Sequence, residues 1–249
     1  MKEILWQPDN QRVQRSGMFR FLQAVNREYS KDFTTYAELH QWSVQNIETF
    51  WEFYRRYSGI RFSRQPDEIL SSRSMPGARW FSGAELNYAE NLLFAPPDKT
   101  AILSKVEGQS LQALTYGELT VLVQRFAAAL SHQGIVPGDR VAGFLPNIPE
   151  TIIAMMGTAA VGAIWTSCSP EFGAQGIRDR FGQVAPRVLV CVEEYAYNGK
   201  RYSIKETLNA VIPDIPSLQS VVVVSRNSLS SGADPLRFHS VWTWDEFVG

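Results

Sequence analysis

Residues 138–168, GDRVAGFLPNIPETIIAMMGTAAVGAIWTSC, decide the fold. RVAGFL (140–145) and GAIWTSC (162–168) are short apolar runs of strand length. Between them, IPETIIAMMGTAAV (148–161) carries its apolar residues at helical period. Apolar strands separated by helices are the mark of a parallel sheet covered on both faces. The alternation continues outward. TAILSK (100–105), RVLVCV (187–192) and SVVVVS (220–225) read as further strands. TYGELTVLVQRFAAALSHQG (115–134), GAQGIRDRFGQVA (173–185) and YSIKETLNAVI (202–212) read as helices. Gly134 closes the helix ending at His132, and VPGDR (136–140) is a turn into the next strand. The expected fold is α/β, with a doubly wound, mostly parallel sheet.

The texture differs before FAPPDKT (94–100). MFRFLQAVNREY (18–29) spaces Phe19, Leu22, Val25 and Tyr29 as one helical face. TYAELHQWSVQNIETFWEFYRRY (35–57) does the same with Leu39, Trp42, Ile47, Phe50, Trp51 and Tyr54. Aromatic residues at that spacing predict a packed helical core, not a ligand box. Arg55 and Arg56 read as a solvated helix end. A helical N-terminal region over 1–95 and a partial second domain over 96–249 are expected.

Composition narrows the function classes. The 249 residues hold 24 basic and 25 acidic side chains, a net charge of −1, and 45% hydrophobic residues. Such a balance speaks against a nucleic-acid partner. No apolar run approaches the roughly 20 residues of a membrane span, and the first residues lack a signal-peptide core. Cys168 and Cys191 are too far apart for a CxxC pair and lie in apolar runs, so buried free thiols are expected. His40, His132 and His239 are scattered without ligand spacing. A soluble, cytoplasmic protein with no membrane partner is expected.

The sheet pattern invites a nucleotide, which would need a phosphate-binding loop. No G-x-G-x-x-G follows a strand, and no G-x-S-x-G elbow is present. GTAAVG (157–162) has the two glycines of a Walker loop but not its Lys-Ser/Thr. It lies in a helical stretch, which predicts close packing at the glycines.

Longer motifs carry a resemblance. WFSGAELNYAENLL (80–93) is similar to the end of the N-terminal region of acetyl-CoA-synthetase-like enzymes. LTYGEL (114–119) and residues 138–181 resemble the first two core regions of the AMP-forming adenylating superfamily. SPEFG with RDRF, then YNGKRY (197–202), resembles its acetoacetyl-CoA synthetase branch more than the acetate enzymes. The resemblance implies an AMP-forming acid–thiol ligase using ATP, Mg2+ and coenzyme A. Acetoacetate and ATP would form an acyl-adenylate and pyrophosphate, and the thiol of coenzyme A would then displace AMP. Phosphate charge in such a reaction needs backbone amides, hydroxyls and a cation around it.

The family's Ser/Thr/Gly-rich phosphate loop, acidic magnesium ligand, ribose-binding Asp and C-terminal lysine have no match here, so no catalytic or metal-ligating residue is named. SLSSGADPLR (228–237) shares only Ser230, Ser231, Gly232 and a proline with that loop, and reads as surface. The expectation is the N-terminal portion of a ligase, inactive alone, whose missing structural partner is the rest of the enzyme. By the same resemblance Ser169, Pro170, Glu171 and Phe172 line a coenzyme A entrance. Lys200 and Arg201 meet its nucleotide phosphates, as a point charge and a planar fork. Tyr197 departs from the acetate enzymes, which carry an arginine there. Other readings stay open: that the two cations only solvate a loop, that Glu171 is an ordinary surface carboxylate, that the chain is a non-catalytic coenzyme A-binding remnant, or that the acid is acetate or propionate.

Overall fold

The computed structural model describes residues 5–225 and 236–249, in two compact units that divide between Leu86 and Asn87. The first unit is helical. It runs through α1 (Asn10–Arg15), α2 (Gly17–Tyr29), α3 (Tyr36–Gln45) and α4 (Ile47–Ser58). An antiparallel pair, β1 (Glu68–Leu70) and β2 (Trp80–Ser82), follows. Its core joins Phe21, Leu22, Val25, Leu39, Trp42 and Phe53. Phe21 meets the rings of Phe50, Phe53, Tyr54 and Tyr57 at 5.0–5.9 Å. Of the aromatic residues that the spacing predicts as core, Trp42 is buried and Tyr29 and Phe50 pack against the core, whereas Phe19, Trp51 and Tyr54 lie outside it.

Three details differ from the sequence reading. The stretch 35–57 is two helices, because Asn46 leaves helical geometry and returns its backbone and side-chain N–H groups to the Trp42 carbonyl. The break resets the phase, so Phe53 is buried while Trp51 and Tyr54 are exposed. In α2 it is Phe21, not Phe19, that enters the core. Arg55 and Arg56 are not merely solvated: Arg55 forks onto Glu52 at 2.6–2.8 Å, and Arg56 reaches Glu28 of α2 at 3.0 Å.

The second unit continues with α5 (Tyr88–Leu92), β3 (Thr100–Ser104), β4 (Gln112–Thr115), α6 (Tyr116–His132), β5 (Arg140–Phe144), α7 (Pro149–Ala160) and β6 (Ile164–Cys168). Then come α8 (Ala174–Val184), β7 (Val188–Cys191), β8 (Glu194–Tyr197), β9 (Lys200–Ser203), α9 (Lys205–Val211), β10 (Ser220–Val223), β11 (Val241–Thr243) and α10 (Trp244–Val248). A five-stranded, wholly parallel sheet is ordered β11-β10-β7-β5-β6. β7 and β10 are buried at every position and β5 at all but its first, hence their continuous apolar sequences. α6, α7 and α10 pack together, as do α8 and α9.

The sheet is the doubly wound one expected, with two local exceptions. TAILSK does not join it: β3 pairs antiparallel with β4 in a separate two-stranded sheet. The helix expected from Tyr202 begins at Lys205, because Tyr202 and Ser203 belong to β9, antiparallel to β8. The glycines of GTAAVG behave as packing predicts. A Cβ on Gly157 would stand 2.8 Å from the Phe126 ring, and Gly162 turns the chain at φ +75°.

Strand order places the site. From β5 the chain steps outward to β6, then crosses back over β5 to β7. That reversal makes the β5/β7 boundary a topological switch point, beyond whose carboxyl ends open α/β sheets bind ligands.

Candidate functional site

The carboxyl edge of the sheet is level at Phe144, Cys168 and Cys191, which stand side by side in register. Two cysteines on either side of β5 are about 10 Å apart by strand spacing, beyond disulfide reach. Both are buried free thiols, as expected. Burial pushes the Cys168 thiol up to about 11 against a weaker opposite pull from Arg180, and raises Cys191 as well. Neither is a nucleophile at neutral pH.

From this edge rise the turn after β6 and the hairpin after β7. In the turn, the Phe172 N–H donates to the Ser169 carbonyl at 3.2 Å, and Pro170 is buried beneath it. Ser169, Glu171 and Phe172 are exposed. The Arg180 guanidinium of α8 lies 4.0 Å over the Phe172 ring. Gly176 leaves room for that ring, since a Cβ there would stand 3.1 Å from it.

The hairpin turns at Asn198-Gly199, both at positive φ (51° and 72°). Two such residues in succession form the tight turn that matches strand twist. The turn's two N–H groups donate to the Glu107 carboxylate at 3.1 and 2.9 Å. Glu107 lies between β3 and β4, so it ties the hairpin to a segment some ninety residues earlier. The Tyr195 and Tyr202 rings stack at 5.4 Å and 20°. The Tyr195 hydroxyl is pushed above its ordinary pKa by partial burial, then by Glu171 and by Tyr202. The Glu171 carboxylate of the turn thus acts electrostatically on Tyr195 of the hairpin.

Lys200 and Arg201 are both exposed, in β9 and not in a loop. Arg201 is held by Glu194 at 2.7 Å. Lys205 pairs with Glu193 at 3.1 Å. Among the described residues no three His, Cys, Asp or Glu side chains gather as a metal set. No helix of the described residues is long and apolar enough to cross a membrane. Most of SLSSGADPLR lies outside the described residues. Sequence reasoning missed Glu107 and the paired tyrosines. The alternation in EYAYNGKRYS around Asn-Gly was the available hairpin signal.

Comparison with known proteins fits this geometry. The family model described as AMP-binding enzyme matches residues 92–243, and that described as Acetyl-coenzyme A synthetase N-terminus matches 36–92. The chain belongs to the AMP-binding enzyme family. Within that family it is 41% identical over 226 residues to the acetoacetyl-CoA synthetase of Xenopus tropicalis, covering 89% of this chain and 33% of the relative. The acetoacetyl-CoA synthetase of Macaca fascicularis is 39% identical over 250 residues, covering 99% and 37%. The solved acetoacetyl-CoA synthetase from Streptomyces lividans superposes at TM-score 0.91 and 38% identity, over 100% of this chain and 38% of that one. The chain thus spans about a third of the length of the family members it matches, and its resemblance to acetoacetyl-CoA synthetases is borne out.

Proposed function

We propose that these residues form the coenzyme A side of an acetoacetate–CoA ligase, which converts ATP, acetoacetate and coenzyme A to acetoacetyl-CoA, AMP and pyrophosphate. The observation that carries this reading is the superposition of the whole chain on an acetoacetyl-CoA synthetase. On this reading residues 1–95 are the family's helical N-terminal region and 96–249 its partial adenylating domain. The ATP phosphate loop and the magnesium ligand belong to the remainder of the ligase, so the 249 residues are inactive alone. Ser169, Pro170, Glu171 and Phe172 line the thiol's entrance. Lys200 and Arg201 supply cations for the nucleotide phosphates of coenzyme A. The turn after β6 and the hairpin after β7 both leave the carboxyl edge of the sheet beside the switch point, where open α/β sheets bind ligands, and this supports the assignment.

Two assays test it. The 249-residue chain is expected to give no acetoacetate-dependent exchange of pyrophosphate into ATP, since losing a single oxyanion-stabilising donor costs about 10²–10³ in rate. Clear turnover would refute the partial-domain reading. In a complete ligase containing these residues, the double reversal Lys200→Glu with Arg201→Glu is expected to weaken coenzyme A binding about tenfold to a few hundredfold. Pyrophosphate exchange, which precedes thiol entry, stays near the unaltered rate. Equal loss in both assays would assign the charges to folding, and no loss in either would make them solvating residues.

A further inference from the structure

The β8–β9 hairpin cannot complete its own tip. Its register pairs Tyr197 with Lys200, so the cross-strand ladder stops there and leaves out the N–H groups of Asn198 and Gly199. Most of its residues are exposed, and a two-stranded hairpin alone is marginal in water. Its base is held by the rest of the fold. Tyr195 packs against the main core, the Ile204 N–H donates to the Glu193 carbonyl at 2.8 Å, and Lys205 pairs with Glu193. The tip depends on a partner from outside the hairpin.

Glu107 is that partner. It stands in the turn VEGQ (106–109), closed by the Gln109 N–H on the Val106 carbonyl at 3.1 Å, with Gly108 at φ +74°. The Lys105 ammonium donates to the Gln109 carbonyl at 2.7 Å, and Val106 packs against the main core. The loop is thus fixed on both sides of Glu107. From it one carboxylate oxygen accepts from Asn198 and the other from Gly199. Paired, charge-assisted bonds of this kind fix direction as well as distance. Lys200 and Arg201 follow at once, on opposite faces of β9 as strand neighbours must be, and both move with the tip.

We propose that Glu107 is a positioning residue for coenzyme A. It does not touch the ligand; it holds the hairpin tip where Lys200 and Arg201 are already placed for phosphate. The inference rests on the coenzyme A reading above. Its physical content is an ordering cost met in advance, because cations on a swinging tip must be immobilised at each binding event.

The sign of the effect separates this role from that of charge alone. Glu107 is itself an anion, so through its field alone its removal would tighten the binding of phosphates. Through position, its removal weakens binding. In a complete ligase containing these residues, Glu107→Gln is expected to raise the KM for coenzyme A about three- to tenfold. Pyrophosphate exchange, and kcat at saturating coenzyme A, stay near their unaltered values. Amide hydrogen exchange quickens at Asn198 and Gly199 and not in the parallel sheet. On a background of Lys200→Ala with Arg201→Ala, Glu107→Gln adds less than about twofold, since it has nothing left to place. Glu107→Ala serves the same purpose should the glutamine amide find a new bond to the turn. A lowered or unchanged KM in both variants overturns the proposal, as does a full loss that persists on the double-alanine background. Equal loss of pyrophosphate exchange would reduce Glu107 to a folding role and overturn it too. The two readings fail separately. If Lys200→Glu with Arg201→Glu leaves coenzyme A binding unaltered, the coenzyme A reading falls and this one with it. If that reversal weakens binding and the Glu107 variants do not, only the positioning role falls.

Discussion

Gly157 occupies a helix interior, where glycine is worse than alanine by roughly 1 kcal/mol. Propensity alone therefore favours Gly157→Ala. Packing opposes it: the new Cβ would stand 2.8 Å from the Phe126 ring and 3.2 Å from the Ala127 backbone nitrogen. Phe126 cannot step aside, since it is fully buried and stacks on Trp244 at 5.3 Å. Overpacking of that kind costs about 1–3 kcal/mol, more than propensity returns. Gly157→Ala is thus expected to lower the urea midpoint and leave nucleotide binding unaltered. A stabilised variant would refute the packing account, and a folded variant deficient in nucleotide binding would revive a phosphate-loop role for GTAAVG.

At the scale of elements, one local device recurs. TYAE (35–38), TYGE (115–118) and TWDE (243–246) each open a helix as a capping box, the threonine accepting from the fourth residue's N–H and the glutamate from the threonine's. The boxes at Thr115 and Thr243 also turn a strand directly into a helix. Thr115→Ala is expected to cost about 1 kcal/mol of stability, read as a lowered urea midpoint. Backbone N–H donation from Thr115 holds Glu118 below the ordinary carboxylate pKa. A depressed carboxyl stabilises the fold above its unfolded pKa, and that contribution disappears as pH falls through the folded pKa. The midpoint gap between the unaltered chain and Glu118→Gln is therefore expected to shrink from pH 6 to below pH 4; a constant gap would show that charge plays no part. These boxes also mark what was legible in advance. Strands β5, β7 and β10 were readable because burial on both faces leaves uninterrupted apolar runs. The helices between them were readable by period. The break at Asn46 was not, because aromatic residues flank it and hide the change of phase. β8 and β9 were harder to read, because an exposed hairpin buries no apolar stripe and leaves only the alternation around Asn-Gly as a signal. The two cations were visible as charges, but their opposite directions depend on pairing register, which composition does not carry.

On the scale of the whole molecule, the sheet has one well-covered interior and an open margin. β6 pairs only with β5 among the described residues, and its first residue, Ile164, is 53% exposed. β6 is short but apolar, with no charged or proline residue among Ile164–Cys168 to deter another strand. A net charge of −1 supplies little long-range repulsion between copies. The physical expectation is association of the 249-residue chain through this edge. In sedimentation velocity it should form dimers or larger species as concentration rises, and it should bind an apolar dye. Ile164→Lys places a charge at an already exposed position, so it should reduce association without lowering the urea midpoint. Association unchanged by Ile164→Lys would move the contact to another surface. A monomer at every concentration, with no dye bound, would mean that the β6 margin is not adhesive, and the open edge would then have no energetic consequence for this chain.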